Sequence, residues 1–265
     1  MKPIIYAVLL CSVAVITSCN KHIYVPNTVN VPLLKEKHEF KGSISPTNLQ
    51  TAFAITNNIA IMANGQYVYR FKFNDSINND LFSDNNTRGG LIEGAIGYFK
   101  PLDPKKRMVF DVYGGFGGGH FKTLTVKRTS GSNPDDYTIK NQFTKVFIQP
   151  SIGFVHPVIE AAFSSRFSLL NFYNTQMGPK AFENDATGKA NFMRISDKPV
   201  FFYEPALTFR VGYKYVKFQA QLQFSLPLKD NTYDTFDVND YFQPVAFGMG
   251  ASINIARWYD EFRKK

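Results

Sequence analysis

The sequence predicts an all-β protein: a closed antiparallel up-and-down transmembrane β-barrel of about ten strands, with eight as the alternative. Three observations predict it. Alternation of apolar with small polar residues runs through nearly the whole chain after residue 38, which is the period of a strand. The second face of that alternation is small and hydrogen-bonding where a water-soluble barrel would carry Lys, Glu and Thr. No apolar run after residue 16 approaches the roughly 20 residues that a membrane helix needs. With 265 residues, 44% of them hydrophobic and 15% aromatic, the composition suits one domain of ordinary size and excludes a disordered or fibrous chain.

The elements follow in order. Residues 1–18, MKPIIYAVLLCSVAVITS, carry one Lys, an apolar stretch and then small residues, the layout of a secretory signal. Its tail, Val15-Ile16-Thr17-Ser18-Cys19, resembles the lipobox of bacterial lipoproteins. That resemblance implies cleavage before Cys19 and an N-terminal lipid on it, with no other cofactor. Cys11 leaves with the signal, so the mature chain has one thiol and no internal disulfide. Residues 19–37 are expected to be a periplasmic lipid-anchored tether, 38–258 the barrel and 259–265 a basic tail.

Within the barrel the alternation marks strands at 38–45, 49–56, 59–71, 89–100, 107–129, 139–155, 158–172, 199–214, 216–228 and 241–258. Residues 38–56 could instead form one bulged strand, leaving nine. Connections alternate between short turns and long loops, as in outer-membrane barrels, which puts both termini on the periplasmic side. In Val216–Leu228 one face reads Val, Phe, Ala, Leu, Phe, Leu, Leu and the other Lys, Gln, Gln, Gln, Ser, Pro. The large apolar face is expected to meet lipid and the small polar face the lumen. Aromatic residues gather at both strand ends: Tyr67, Tyr69, Phe71, Phe172, Tyr173, Phe201, Tyr203 and Tyr241 at one, and Tyr98, Tyr213, Tyr215, Trp258 and Tyr259 at the other. Two such girdles suit the two headgroup levels of a bilayer.

The hairpin LQTAFAITNNIAIMANGQY at 49–67 and the Gly-rich strand DVYGGFGGGHF at 111–121 carry a resemblance to the small outer-membrane barrels of the OmpA/OmpX type. The resemblance covers Glu39 to Trp258 and implies residence in the outer membrane of a Gram-negative cell envelope. Two departures stand out: the last strand lacks the terminal aromatic assembly signal, and no peptidoglycan-binding domain follows.

Strand parity directs Glu39, Glu93, Asp111, Glu160 and Glu204 inward together with Lys41, Arg70, Arg166, Arg210 and Lys217. Buried charges need partners, so a balance of acids and bases predicts a largely plugged, ion-paired lumen. The net charge of +9 sits mostly away from the long loops, which hold 12 acidic and 7 basic residues. Scattered over both termini and a turn, the basic excess suits anionic lipid better than nucleic acid. His120 is the one weak candidate for a catalytic base near a rim, and parity with Phe110, Val112 and Phe116 turns it toward lipid. Asp230, Asp234, Asp237 and Asp240 lack the spacing of a cation-binding loop, and no metal site is expected.

The expected function is therefore non-enzymatic. It is that of an outer-membrane barrel lipoprotein that supports envelope structure or contacts another envelope component, with membrane lipids and lipopolysaccharide as partners. A barrel enzyme acting on lipid A or peptides at the outer rim is the first alternative, and a narrow channel for small polar solutes the second.

Overall fold

A computed structural model of the chain describes residues 22–69, 86–125, 133–213, 215–228 and 241–254. Ten antiparallel strands close into a barrel: β1 (Phe40–Ile44), β2 (Asn48–Ala54), β3 (Ile59–Val68), β4 (Thr87–Pro101), β5 (Met108–Leu124), β6 (Thr138–Val155), β7 (Ile159–Met177), β8 (Val200–Tyr213), β9 (Val216–Phe224) and β10 (Val245–Asn254). After Ser225, Leu226–Pro227 prolongs β9 against β8. Each strand pairs with the next through β8–β9 and β9–β10, and β1–β10 completes the circle. The one α-helix among the described residues, α1 (Ala186–Arg194), lies in the connection after β7.

Residues 38–56 form a hairpin, because Ser45 and Asn48 close a turn around Pro46 (Ser45 N–H donates to Asn48 O at 2.8 Å). The opposite end carries tight turns. Thr56 Oγ1 accepts from the amides of Asn58 and Ile59 between β2 and β3. Between β4 and β5, Asp103 accepts from the amides of Arg107 at 2.7 Å and Met108 at 2.6 Å. The Met108 amide foremost, with that of Arg107, holds the Asp103 carboxyl below the usual range. β7 extends to Met177, past its expected end at 172, by absorbing an extra residue opposite Lys140–Gln142; Asn174 takes φ 51 there, the left-handed conformation of a bulge.

The alternation sorts as expected. Ile92 and Phe116 are 75% and 73% exposed on the outer face, whereas Glu204, Gln223 and Arg166 on the inner face are 0% exposed. The expected girdles need two corrections. Phe172, which shares the inward parity of Glu160 and Arg166 on β7, and Tyr241, which lies in the connection ahead of β10, face inward into a cluster with Tyr24, Phe121, Phe143 and Phe202 at the long-loop end. Phe71, Trp258 and Tyr259 lie outside the described residues, as do the signal, Cys19, Arg70, the Asp230–Asp240 loop and the 259–265 tail.

The largest correction concerns the tether. From His22 to Leu34 the chain runs inside the barrel, in contact with inward side chains at every level. At the long-loop end, His22 O accepts from Thr87 and Thr123, and Ile23 N–H donates to Tyr241 O at 2.8 Å. Midway, Val29 N–H donates to Gln221 Oε1 at 2.6 Å and Asn30 Nδ2 to Asn64 Oδ1 at 2.8 Å. At the short-turn end, Glu36 meets Lys106 and the Lys37 amide donates to Asn57. Small inward residues on the wall make room: a Cβ on Gly248 would stand 2.5 Å from Thr28 Cγ2. Val29, Val31 and Leu33 pack on Val109, Val155, Ala162 and Ala206, burial that a solvated tether would forgo.

Candidate functional site

The chemistry-bearing side chains converge on the lumen in two ion centres. In the upper one, nearer the long loops, β6 supplies Lys145, whose Nζ lies 3.1 Å from Glu93 Oε1 and 3.0 Å from Glu204 Oε2. Glu93 stands on β4, and Gly117 of β5 is the register partner of both Glu93 and Lys145. A Cβ there would come within 2.8 Å of Glu93 Cγ, so the glycine is what lets acid and base meet across a strand. Arg166 of β7, the register partner of Glu204, approaches Glu93 Oε2 at 3.4 Å and donates through Nε and Nη2 to Gln149 Oε1. Its guanidinium lies over the Phe147 ring, 4.7 Å from the centroid.

The N-terminal segment completes this centre. Tyr24 Oη donates to Glu204 Oε1 at 2.8 Å and accepts from Lys145 Nζ at 2.9 Å. Asn27 Nδ2 donates to Glu93 Oε2 at 2.8 Å, while its Oδ1 accepts from Arg166. Ser168 Oγ donates to Glu204 Oε2 at 2.6 Å. Both carboxylates and both cations are thus fully enclosed, and each has a partner of opposite charge, the condition under which buried charge is tolerable.

The lower centre is organised around Glu160 of β7. Lys217 of β9 reaches Glu160 Oε1 at 2.8 Å, Arg210 of β8 reaches Oε2 at 3.1 Å, and Lys41 of β1 stands 3.9 Å away. Glu39 lies 4.0 Å from Lys41 and accepts from Asn254 Nδ2 at 2.8 Å. The N-terminal segment touches these groups through its backbone: Val31 O accepts from Arg210, Leu33 O from Lys41, and the Lys35 amide donates to Glu39. Asp111, also enclosed, has no hydrogen-bond partner at either oxygen, and neither has the Tyr113 hydroxyl two residues along the strand.

Nine of the ten charges expected inside are therefore inside, and the tenth, Arg70, lies outside the described residues. Sequence reasoning missed Lys145, although it shares the parity of Gln149 and Ser151 on the same strand. It also missed Tyr24 and Asn27, whose signal was the apolar run HIYVPNTVNVPLL at 22–34, too hydrophobic for a solvated linker.

His120 points outward as parity required, and is exposed. It lines a shallow depression of about 350 Å³ with Arg88, Lys122 and Lys140, and among the described residues no carboxylate lines it. No group of three or more His, Cys, Asp or Glu side chains is placed to hold a metal ion among the described residues. No family model, no curated protein and no solved structure matches this chain, so the geometry of the barrel and of its lumen carries the functional argument.

Proposed function

We propose that the mature chain is a non-enzymatic outer-membrane barrel lipoprotein, closed by its own N-terminal segment, that supports envelope structure or contacts another envelope component. The observation that carries this reading is the path of residues 22–34, which fills the lumen from the long-loop end to the short-turn end and pairs with both ion centres. A rim of exposed Ile, Phe, Val and Leu surrounds a charged interior, an arrangement that water would not stabilise and a bilayer would. No described helix is long and apolar enough to cross a membrane.

Cys19, the expected lipid anchor, lies outside the described residues. Against the enzyme alternative stands His120, which faces outward with no acid among the described residues lining its depression to orient it as a base. Against the channel stands the occupied lumen.

Planar-bilayer recording of the purified mature protein, alongside membrane fractionation, tests the proposal. The expected results are recovery with outer membranes and no steady large conductance. Recovery as a soluble monomer overturns the membrane reading, and a steady open pore makes the solute channel the better account.

A further inference from the structure

On the outer wall near the long loops, the ladder registers set side chains in rows. Arg88 on β4 is the partner of Lys122 on β5, which is the partner of Lys140 on β6, which is the partner of Gln176 on β7. All four side chains point away from the lumen, since their neighbours Thr87, Thr123 and Ile139 are buried inside. Three cations thus stand side by side across about 10 Å of sheet, given the strand spacing of about 4.8 Å. Like charges directly opposite one another destabilise a ladder, so such a row calls for a counter-anion. Among the described residues one carboxylate reaches it: Asp135 bonds Lys122, and that bond first, with the charges of Lys122 and Lys140, lowers its pKa. Arg88 and Lys140 have no ion pair among the described residues, and the row retains an excess of two positive charges.

The adjacent row, one step toward the middle of the barrel, reads Tyr67, Gly90, His120, Gln142 and Tyr173. Its two ends are exposed tyrosines, and Tyr67, His120 and Gln142 of this row line the 350 Å³ depression. Beyond it come Ile92, Phe116 and Val146, 75%, 73% and 52% exposed. Along one strip of wall the order is thus apolar, then tyrosine-flanked hollow, then cations, which is the order of an acyl chain, an interfacial level and a phosphate.

We propose that this strip binds a lipid with a phosphorylated headgroup from the leaflet at the long-loop rim. Arg88 and Lys140 hold the phosphate, with Arg88 able to present two parallel N–H donors to it, and His120 and Gln142 contact the headgroup in the hollow. The inference rests on the reading that the barrel spans a membrane.

Purified mature protein in a neutral detergent is titrated with lipid A carrying both phosphates, with its dephosphorylated form, with phosphatidic acid and with inorganic phosphate, and bound lipid is read by native mass spectrometry. Saturable binding of lipid A is expected, weakened at least about tenfold by dephosphorylation and by the double variant Arg88→Gln/Lys140→Gln. Equal binding of phosphatidic acid would assign the site to lipid phosphate in general, and weaker binding to lipid A; both support the proposal. Binding insensitive to phosphate or to the double variant overturns it, as does full displacement of lipid by inorganic phosphate at equal concentration. Circular dichroism of the variant verifies its barrel. Membrane fractionation of the wild-type protein, scored separately, identifies a failure of the membrane reading itself.

Discussion

The two ion centres of the lumen solve the same electrostatic problem with different parts. In the upper one a single ammonium, Lys145, serves two carboxylates on two other strands, and the side chains of Tyr24 and Asn27 supply the remaining bonds. In the lower one a single carboxylate, Glu160, serves three cations, and the N-terminal segment contributes backbone groups alone. The upper centre is consequently specific to the sequence of the plugging segment, whereas the lower one would accept many segments of similar path. Within the upper centre Glu204 has Lys145 as its single ion-pair partner among the described residues, where Glu160 has three. Specific side-chain recognition thus stands at the end where the segment enters, where aromatic packing of Tyr24 on Phe143 and Phe202 excludes water.

That contrast can be broken most sharply at Lys145. Among the described residues, Lys145→Met leaves Glu204 without an ion-pair partner within 4 Å and Glu93 with Arg166 alone. Breaking a buried pair costs about 3–5 kcal/mol, so the detergent-solubilised variant should unfold at a markedly lower temperature or fail to assemble. Tyr24→Phe keeps the ring and removes the hydroxyl between Lys145 and Glu204; a loss of about 1.5–3 kcal/mol is expected in the same assay. Lys217→Met should cost less, about 1 kcal/mol, because Arg210 and Lys41 remain beside Glu160. If Lys217→Met proves as damaging as Lys145→Met, the claimed difference in redundancy is wrong.

Smaller effects are expected outside the lumen. Lys106 and Glu36 pair at 2.9 Å with both side chains about half exposed, and Lys106→Ala should change stability by less than about 1 kcal/mol. The turn at Asp103 sharpens the comparison through pH. Its carboxyl is held below the ordinary value, so its contribution is present above the unfolded value and is lost as pH falls through the folded one. Amide exchange at Arg107 and Met108 should stay slow through the ordinary carboxylate range and quicken below it, whereas quickening within that range would contradict the assignment.

Much of the barrel was legible in the sequence because a strand writes its two faces into neighbouring residues. Val216–Phe224 alternates in the structure as it does on paper, and the same parity found Glu160, Arg210 and Lys217. Parity failed at Tyr241, which lies in a connection ahead of β10, whereas Phe172 shares the parity of Glu160 and Arg166 and belonged to the inner face all along. The plug was illegible for a different reason. Tyr24 meets Glu204 across 180 residues, and no local pattern records which segment will fill a closed lumen. The run at 22–34 is too apolar for a solvated linker and so signals burial, but it names neither the lumen nor the partners waiting there.

The central claim is that residues 22–34 run through the lumen from the long-loop end, and site-specific photo-crosslinking tests it most directly. Diazirine side chains are placed in separate variants at positions 24 and 33 of the membrane-assembled protein, and the adducts are mapped by mass spectrometry. Position 24 should attach to peptides carrying Phe121, Phe143 or Phe202, and position 33 to those carrying Val109, Val155 or Ala162, at the opposite end. Adducts from both positions to those two separate sets would sustain the account. Adducts to the second set alone, or none from either position in a folded barrel, would show that the segment lies outside the lumen.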